Sequence, residues 1–428
     1  MALIKKPVTG MRDILPDEMA IRQYAMSVIR DTYRSFGFTE IETPVVESLS
    51  NLCSNQGGDN EKLIFRILKR GEKLDIANAS SQDDLTDSGL RYDLTVPLVR
   101  YYSNHMNELP SPFKALQMGN VFRADRPQKG RYRQFMQCDI DIFGEDGTLA
   151  ETELILAITT VLGRLGFKGF QVRINDRRLL KITAAYCGFK PEMFDSVFIT
   201  LDKLDKIGFD GVKAELIEIT SDEEASDKCV NLLKKFAETS EGNRAFNNVK
   251  SFCSYIQSEA AAEVSEDLIS IIEASEASKG ADFDIIFDPT LVRGMGYYTG
   301  TIFEIAMPKY GGSCGGGGRY DEMVGKFTGQ AAPACGFSIG FERIIMLMME
   351  EGFKIPSVSK NKAYLIEKGV SKERLAEIIK RAAGERSEGL NILTVYMNKN
   401  KKFQKEQLMK LGYSEFEEFY KEELKEKK

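Results

Sequence analysis

Basic and aromatic residues are concentrated in "VFRADRPQKGRYRQFMQ", residues 121–137 of a chain whose net charge is −6. Arginine presents a planar fork that matches phosphate and carboxylate groups, so Arg123 at a strand end is suited to clamp a phosphate. Phe135, returning on a partner strand, is placed to stack on a nucleobase. The segment therefore predicts a site for a phosphate-bearing ligand, and the cationic loop between the two residues could meet a second polyanion. A charged hairpin whose arginines are only solvated is the alternative.

A second candidate is the arginine within "LVRGMGYYTGTIFEI", residues 291–305. Arg293 lies among apolar residues, and a guanidinium in such surroundings needs an anion or strong hydrogen-bond partners, because its desolvation is otherwise costly. That anion is either a ligand or a core carboxylate, and the segment by itself leaves both open.

Glycine dominates the next stretch, "YGGSCGGGGRYDEM", residues 310–323. Such a composition lets the backbone approach a ligand closely, or it serves as a flexible hinge. As a phosphate loop it is a poor match, since no Gly-Lys pair followed by Ser or Thr is present.

Two further stretches place charged residues where an ionic ligand would explain them. In "ACGFSIGFERIIMLM", a strand leads into an apolar helix with Arg343 in the first turn. The helix dipole favours anions at that end, so a bound anion explains this arginine better than helix stability does. In "RYDLTVPLV", Asp93 and Thr95 are two apart on a predicted strand, hence on one face, where they could grip an ammonium group. A carboxylate that caps a helix is the competing account.

Composition excludes several classes of protein and site. The hydrophobic content of 43% is ordinary for a globular chain, and no apolar run is long enough to cross a bilayer or to form a signal peptide. Seven scattered cysteines are typical of reduced cytosolic thiols, and with one histidine they argue against a metal site or a serine-histidine-aspartate triad. The overall acidity argues against non-specific nucleic-acid binding, while a local basic site stays compatible with it.

The elements that must position these residues indicate an α+β protein. Residues 115–125 and 131–144 are predicted to be antiparallel strands joined by the "RPQKGR" loop. Helical, charged sequence dominates residues 170–281, which we interpret as a helical insertion between two parts of one domain, residues 1–169 and 282–351. After a linker, residues 362–428 form a small α/β unit.

Together, in this order and spacing, the segments resemble the class II aminoacyl-tRNA synthetases, and among them the histidyl-tRNA synthetases. "FTEIETPVVES" is similar to motif 1, "FRADRPQKGRYRQF" to motif 2 and "GFSIGFERI" to motif 3 of the class. "LVRGMGYYTG" and "GGGGRYDEMV" are similar to two stretches peculiar to the histidine enzymes, and "TGMRDILPDEM" matches their usual opening. The resemblance covers about residues 5 to 350. It implies a class II-type antiparallel sheet flanked by helices, carrying a helical insertion and a small C-terminal α/β domain.

The resemblance also implies an ATP site. Arg123 would hold the α-phosphate, Asp125 would read the adenine edge, Phe135 would stack on adenine and Arg343 would bind the γ-phosphate. Mg²⁺ would be held mainly through the ATP phosphates. Arg293 would sit across the α-phosphate and also touch histidine, so that Arg293 and Arg123 would be the catalytic residues.

For histidine, the resemblance implies that Asp93, Thr95 and Gln137 hold the α-amino group. Three tyrosines would add contacts to the substrate, with the second and third lining the imidazole pocket: Tyr297, Tyr298 and Tyr320. In the connecting loop, three residues would meet the acceptor end of tRNA(His): Arg126, Gln128 and Arg131. The implied protein is a cytoplasmic homodimer that forms histidyl-adenylate and transfers histidine to tRNA, with no membrane partner.

Two departures and one rival accompany the resemblance. Gly296 occupies a position where the family usually has aspartate, so any contact made by that aspartate is lost or replaced. The C-terminal unit is short, which leaves contact with the anticodon less certain than aminoacylation. The rival is a non-catalytic paralogue, such as the regulatory subunit of ATP phosphoribosyltransferase. Arg123, Arg293, Arg343 and the full loop favour the enzyme over it.

Overall fold

The computed structural model describes residues 3–54, 58–127, 130–238, 245–292, 296–356 and 361–421. The chain folds into two compact units. The larger unit comprises residues 1–12 and 25–347, and the smaller comprises residues 13–24 and 348–428. All the chemistry-bearing segments of the sequence fall in the larger unit.

The strands have these bounds: β1 Thr39–Glu40, β2 Val46–Ser48, β3 Arg66–Leu68, β4 Thr86–Leu90, β5 Phe113–Phe122, β6 Gln134–Phe143, β7 Phe170–Asp176, β8 Phe283–Phe287, β9 Thr301–Met307, β10 Gly312–Arg319, β11 Ala334–Ile339, β12 Asn361–Ile366, β13 Asn391–Tyr396 and β14 Glu415–Phe419. The α-helices are α1 Pro16–Ser35, α2 Leu49–Ser54, α3 Gln82–Leu85, α4 Thr95–His105, α5 Leu149–Arg164, α6 Arg177–Cys187, α7 Phe194–Leu201, α8 Leu204–Thr220, α9 Glu223–Glu238, α10 Ala245–Ile256, α11 Glu259–Ala277, α12 Glu322–Thr328, α13 Phe341–Glu350, α14 Lys372–Ser387 and α15 Lys401–Lys410.

An eight-stranded sheet is the frame of the larger unit, with strand order β1-β5-β6-β11-β10-β9-β7-β8. The six strands from β5 to β7 pair antiparallel, and a parallel partner lies at each edge, β1 on β5 and β8 on β7. The predicted fold class, an antiparallel sheet flanked by helices, is confirmed. A separate three-stranded antiparallel sheet, β2-β4-β3, lies in the same unit.

The predicted hairpin of motif 2 is present as β5 and β6, paired from Phe113–Phe143 to Phe122–Gln134. Alternation along β6 sends residues of two kinds to opposite faces, because successive side chains on a strand point to opposite sides. Cys138, Ile140 and Ile142 are buried on one face. Gln137 and the two aspartates after it are buried on the other, so this strand carries a polar stripe into the interior.

Helices occupy most of the segment interpreted as an insertion, from α6 to α11, residues 177–277. Its first residues differ from that interpretation, since Phe170–Asp176 is strand β7 of the large sheet, paired with both β8 and β9. Buried apolar residues alternate along β7 as they do in the other sheet strands, and the helices begin where Asp176 caps α6 through the Arg178 backbone N–H.

The C-terminal part of the smaller unit is a three-stranded parallel sheet in the order β13-β12-β14. Tyr364 and Ile366 of β12 pack with residues of α14, while Leu365 packs with Leu408 of α15. The sheet is therefore covered on both faces, as parallel sheets require. The C-terminal unit, predicted to be short, includes Glu415–Phe419 as its last strand, β14. Among the described residues, no helix is long and apolar enough to cross a membrane.

Candidate active site

A cavity of about 330 Å³ opens on one face of the large sheet and is lined by the motif 2 hairpin. Arg123, one residue beyond β5, lines it and stays in register because its N–H donates to the carbonyl of Arg133 at 2.9 Å. Its guanidinium lies 4.2 Å from the Tyr92 ring centre and 5.1 Å from that of Phe135, and its Nε donates to the Tyr92 carbonyl at 3.1 Å. The cation is thus held between two rings at the cavity wall.

The polar stripe of β6 gives the cavity an acidic half. Gln137, Asp139 and Asp141 all line it and are 7%, 3% and 3% exposed. Asp93 lines the same half. Burial raises the pKa of Asp141 to about 7, and it also raises that of Asp139, with the neighbouring carboxylates adding to both shifts. Burying several carboxyl groups side by side destabilises their charged forms, and a cationic ligand bound among them would offset that effect.

The acidic half contains polar atoms that lack a partner. Within the described residues, the Gln137 Oε1 and the Asp139 Oδ1 are buried and have no hydrogen bond. The same two side chains are otherwise well held: the Gln137 Nε2 donates to the Ser338 Oγ at 2.9 Å and to the Asp139 Oδ2 at 3.3 Å. Two unsatisfied acceptors at a cavity wall indicate a place for a donor from a ligand.

Asp93 and Thr95 lie at this cavity, but the strand expected to carry them ends at Leu90. Thr95 is instead the first residue of α4, and the Asp93 Oδ1 accepts the Val96 N–H at 3.0 Å. The competing account, a carboxylate at a helix start, is therefore correct for the local structure. It does not exclude a role in binding, since the same turn brings both side chains to the cavity.

The glycine-rich stretch is a sheet strand, β10, and not a hinge. It pairs with β9 on one side and β11 on the other, and Gly315, Gly316 and Gly317 line the cavity. Glycine is also required in the neighbouring strand, where a Cβ on Gly336 would lie 1.8 Å from the Asp141 Oδ1. These strands therefore form a floor of bare backbone that leaves the space above it to a ligand.

Three tyrosines close the acidic half of the cavity: Tyr297, Tyr298 and Tyr320. The Tyr320 hydroxyl donates to the Asp141 Oδ1 at 2.5 Å, and the Tyr297 ring stands edge-on to both of its tyrosine neighbours. Tyr297 also shares a hydrogen bond with Thr95. The aromatic walls and the carboxyl between them match a flat ring that carries N–H groups.

The opposite half of the cavity is basic. Arg343 lies in the first turn of α13, as predicted, and its Nη1 donates to the Ser313 carbonyl. Beside it Glu342, buried to 8% exposure, accepts the Met136 N–H at 3.1 Å and an Arg12 N–H at 3.3 Å. Arg343 and Arg131 line this half together with Arg123.

Of the fourteen residues predicted for the site, the cavity brings together eleven: Asp93, Thr95, Arg123, Asp125, Arg131, Phe135, Gln137, Tyr297, Tyr298, Tyr320 and Arg343. Arg126 is exposed on the loop and does not line the cavity. Arg293 and Gln128 lie outside the described residues. Gly296 is described and exposed, and a Cβ there would meet no atom within 4 Å.

Asp139, Asp141, Ser338 and Glu342 are among the cavity residues that sequence reasoning missed. For the two aspartates a signal existed in "QFMQCDIDIF", where polar residues recur at every second position of a strand. Ser338 faces Asp139 across the β6–β11 pairing, and nothing local in its sequence marks it.

Comparisons with known proteins agree with this geometry. The family described as Histidyl-tRNA synthetase matches residues 10–344. A histidine–tRNA ligase from Leifsonia xyli is 48% identical over 349 residues, 80% of each chain. The crystal structure of histidyl-tRNA synthetase from Nostoc superimposes with a TM-score of 0.76 at 27% identity, over 96% of this chain and 90% of the other. A Bacillus halodurans structure titled as an ATP phosphoribosyltransferase regulatory subunit/histidyl-tRNA synthetase has a TM-score of 0.75 at 20% identity, covering 98% and 99% of the two chains, and shares the fold.

Proposed function

The chain belongs to the histidyl-tRNA synthetase family, and from this premise we propose how its cavity performs histidine–tRNA ligation. Histidine is first joined to AMP from ATP, and the histidyl group then passes to the terminal ribose of tRNA(His). The observation that carries the proposal is the division of one cavity into an acidic half and a basic half. An amino acid with a cationic amine fits the first, and a triphosphate fits the second.

The first step is a displacement at phosphorus. A carboxylate oxygen of histidine attacks the α-phosphorus of ATP, the bond from that phosphorus to the bridging oxygen breaks, and pyrophosphate leaves. Arg123 at the wall between the two halves would hold the α-phosphate and stabilise its developing charge. We assign Arg293 the facing position across the α-phosphate on the family resemblance alone.

We place ATP in the basic half. Phe135 would stack on adenine, Asp125 would accept from the adenine amino group, and Arg343 would hold the γ-phosphate. Mg²⁺ would enter with ATP, bound mainly by phosphate oxygens. Glu342, which precedes Arg343 in the chain, already accepts hydrogen bonds from Arg12 and the Met136 N–H, and we therefore assign the ion to the phosphates.

We place histidine in the acidic half. Its ammonium would be held by Asp93, Thr95 and the Gln137 Oε1, which lacks a partner among the described residues. Its imidazole would lie between Tyr298 and Tyr320, with an N–H directed to Asp141. Because these groups are buried, an amino acid that lacks the same hydrogen bonds would leave them unsatisfied and would be rejected.

The second substrate would approach from the loop side. Arg126 is exposed there and Arg131 follows in the same loop, with Gln128 between them in sequence, and cations on a loop are suited to phosphates of an RNA end. We further propose that two chains form a homodimer through the motif 1 region and that the protein acts in the cytoplasm. Sedimentation equilibrium on the purified chain would report the dimer directly.

The test is ATP–pyrophosphate exchange, measured with and without histidine. We expect exchange to require histidine and to fall about 100-fold or more in Arg123→Ala, because one preorganised donor to developing charge is worth about this much. Arg126→Ala is the matched control, an arginine of the same loop that does not line the cavity, and should leave exchange unchanged while weakening tRNA charging. Arg293→Ala tests the family-based assignment in the same assay.

One outcome would support a second function. Histidine binding without any exchange would contradict the ligase and would favour a non-catalytic regulatory subunit of ATP phosphoribosyltransferase. The basic half argues against that reading, since a non-catalytic subunit has no need for Arg123 and Arg343 beside its histidine site.

A further inference from the structure

We propose that Asp139, acting with Ser338, fixes the amide of Gln137 so that the pocket presents only acceptors to the substrate ammonium. Asp139 is then a positioning residue that also adds negative charge to the ammonium site. The proposal rests on the proposed function, because it assumes that the acidic half binds histidine.

The contacts of Gln137 carry the first part of the inference. An amide side chain has one acceptor end and one donor end, and the two can exchange places by rotation. Here the donor end is engaged twice, by the Asp139 Oδ2 at 3.3 Å and the Ser338 Oγ at 2.9 Å. Both N–H groups are thus engaged by neighbours on the same face of the sheet, which leaves the Oε1 as the unengaged end of an amide that lines the cavity, buried without a partner in the described part of the chain.

Sheet register makes this arrangement rigid. Asp139 of β6 pairs directly with Ser338 of β11. Gln137 lies two residues before Asp139 on β6, so its side chain is on the same face of the sheet. Ser338 also opposes the rise in the pKa of Asp139 that burial causes. All three side chains therefore stand on central strands, which hold a side chain more precisely than a loop does.

The second part concerns the charge of Asp139. Its Oδ1 is buried and has no partner among the described residues, although the side chain is only 3% exposed. A buried acceptor with no donor is costly unless a ligand supplies one. Asp93 and Asp141 lie near enough to interact with it electrostatically. An ammonium group that binds among these carboxylates would donate a hydrogen bond to the Asp139 Oδ1. Its positive charge would also reduce the electrostatic repulsion among the three carboxylates.

Ligand selectivity tests the inference. Histidinol keeps the ammonium and imidazole of histidine, and 3-(imidazol-4-yl)propan-1-ol is the same molecule without the ammonium. Calorimetry should show that Asp139→Ala weakens histidinol binding by about 10- to 100-fold, the range for a hydrogen bond to a charged group. Binding of the deamino alcohol should change less than about twofold, since it makes no use of the ammonium site.

Further variants separate charge from orientation and guard against misfolding. Asp139→Asn keeps the shape and one acceptor but loses the charge, so it should lose histidinol affinity while its melting temperature stays at or above that of the wild type, because burial raises the pKa of Asp139. Ser338→Ala removes one of the two acceptors for the Gln137 amide and should give a smaller loss with the same selectivity. Asp141→Asn is the matched control, a neighbouring aspartate whose loss should weaken both ligands because both carry imidazole.

The outcomes distinguish this inference from the function on which it rests. Wild-type protein that binds the two alcohols equally well, or neither of them, contradicts the proposed histidine site. Wild-type selectivity that survives intact in Asp139→Ala and Asp139→Asn overturns the role of Asp139 and leaves the histidine site standing. An equal loss of both ligands in Asp139→Asn would mean a general structural role and also overturns the inference.

Discussion

At the scale of single residues, the buried carboxyl groups of the acidic half lower the stability of the fold at neutral pH, and the same groups are proposed to bind the substrate. Asp141 is buried beneath Tyr320, and its pKa rises from 3.8 to about 7 through desolvation, despite the opposing effect of the tyrosine hydrogen bond. A carboxyl whose pKa is higher in the folded than in the unfolded chain stabilises the fold below the unfolded pKa, and that contribution is lost as the pH rises through the folded pKa. Ionisation of Asp141 is therefore expected to lower the free energy of unfolding as the pH rises from about 4 to about 7.

Asp141→Asn should remove that loss. The variant keeps an oxygen for Tyr320 but cannot ionise, so at pH 8 we expect it to be more stable than the wild type by up to about 4 kcal/mol, the equivalent of the pKa difference. At pH 4 the two should unfold at the same denaturant concentration. Urea unfolding at both pH values gives the comparison, with Asp284→Asn, an exposed strand carboxyl, as control. A variant that is less stable than the wild type at pH 8 would contradict this account.

The residues of the cavity also show which parts of the site could be predicted from the sequence. Arg123, Phe135 and Arg343 were predicted because a cation or a ring stood at the end of a recognisable strand or at the start of a helix. The alternation of polar residues around Asp139 could have placed it on the face of Gln137, but it could not show its partner. Ser338 follows Asp139 by about two hundred residues and meets it only across the sheet, and such a long-range pairing leaves no local pattern.

At the scale of elements, a glycine strand must be held in place by what surrounds it. Glycine has a low preference for strands, so β10 depends on pairing with β9 and β11 and on the anchor at its end. That anchor is Arg319, whose Nε and Nη2 donate to the two carboxylate oxygens of Glu151 on α5 at 2.7 and 2.8 Å. The local sequence left β10 open between a ligand-contacting stretch and a hinge because this ion pair joins positions 168 residues apart.

Glu151→Gln should therefore destabilise the protein strongly. It removes the charge that faces the buried Arg319 guanidinium and replaces one of the two acceptor oxygens by an amide NH2, which leaves the partly exposed Asp321 as a weak counter-charge. Breaking one side of a buried ion pair costs about 3–5 kcal/mol. Denaturant unfolding at neutral pH measures the change.

The matched control is Glu40→Gln, which removes a carboxylate paired with Arg30 and Arg34 at the surface. That substitution should cost less than about 1 kcal/mol, because exposed pairs are screened by solvent. Equal losses in the two variants would mean that β10 does not depend on its anchor.

At the scale of the whole molecule, the two compact units suggest a division between chemistry and RNA contact. Every residue that lines the cavity belongs to the larger unit, so we assign the proposed adenylate chemistry to that unit. The C-terminal segment was predicted to be a small α/β unit from its alternating helix and strand patterns. Its last strand was missed because "SEFEEF" is rich in glutamate and spaces its two phenylalanines three apart, so it lacks the period of a strand and forms one by pairing with β12.

The surface charge of that small sheet leads to the last prediction. Lys399 and Lys402 are exposed at the start of α15, whereas Lys401 and Lys405 are paired with Glu418. If this unit contacts tRNA, lysines exposed together at one helix end are the groups that neutralise phosphate. Changing both Lys399 and Lys402 to Glu should raise the KM for tRNA about 10-fold or more and leave ATP–pyrophosphate exchange unchanged.

The control uses the opposite face of the same sheet. Lys372 and Lys380 are exposed on α14, and changing both to Glu alters the net charge by the same amount. If RNA binds along α15, only the α15 pair should raise the KM for tRNA and flatten its dependence on salt, because a specific contact releases counterions and a general change in net charge does not. Equal effects of the two pairs would reduce the role of the smaller unit to long-range attraction, and no effect of either would assign recognition of tRNA to the larger unit alone.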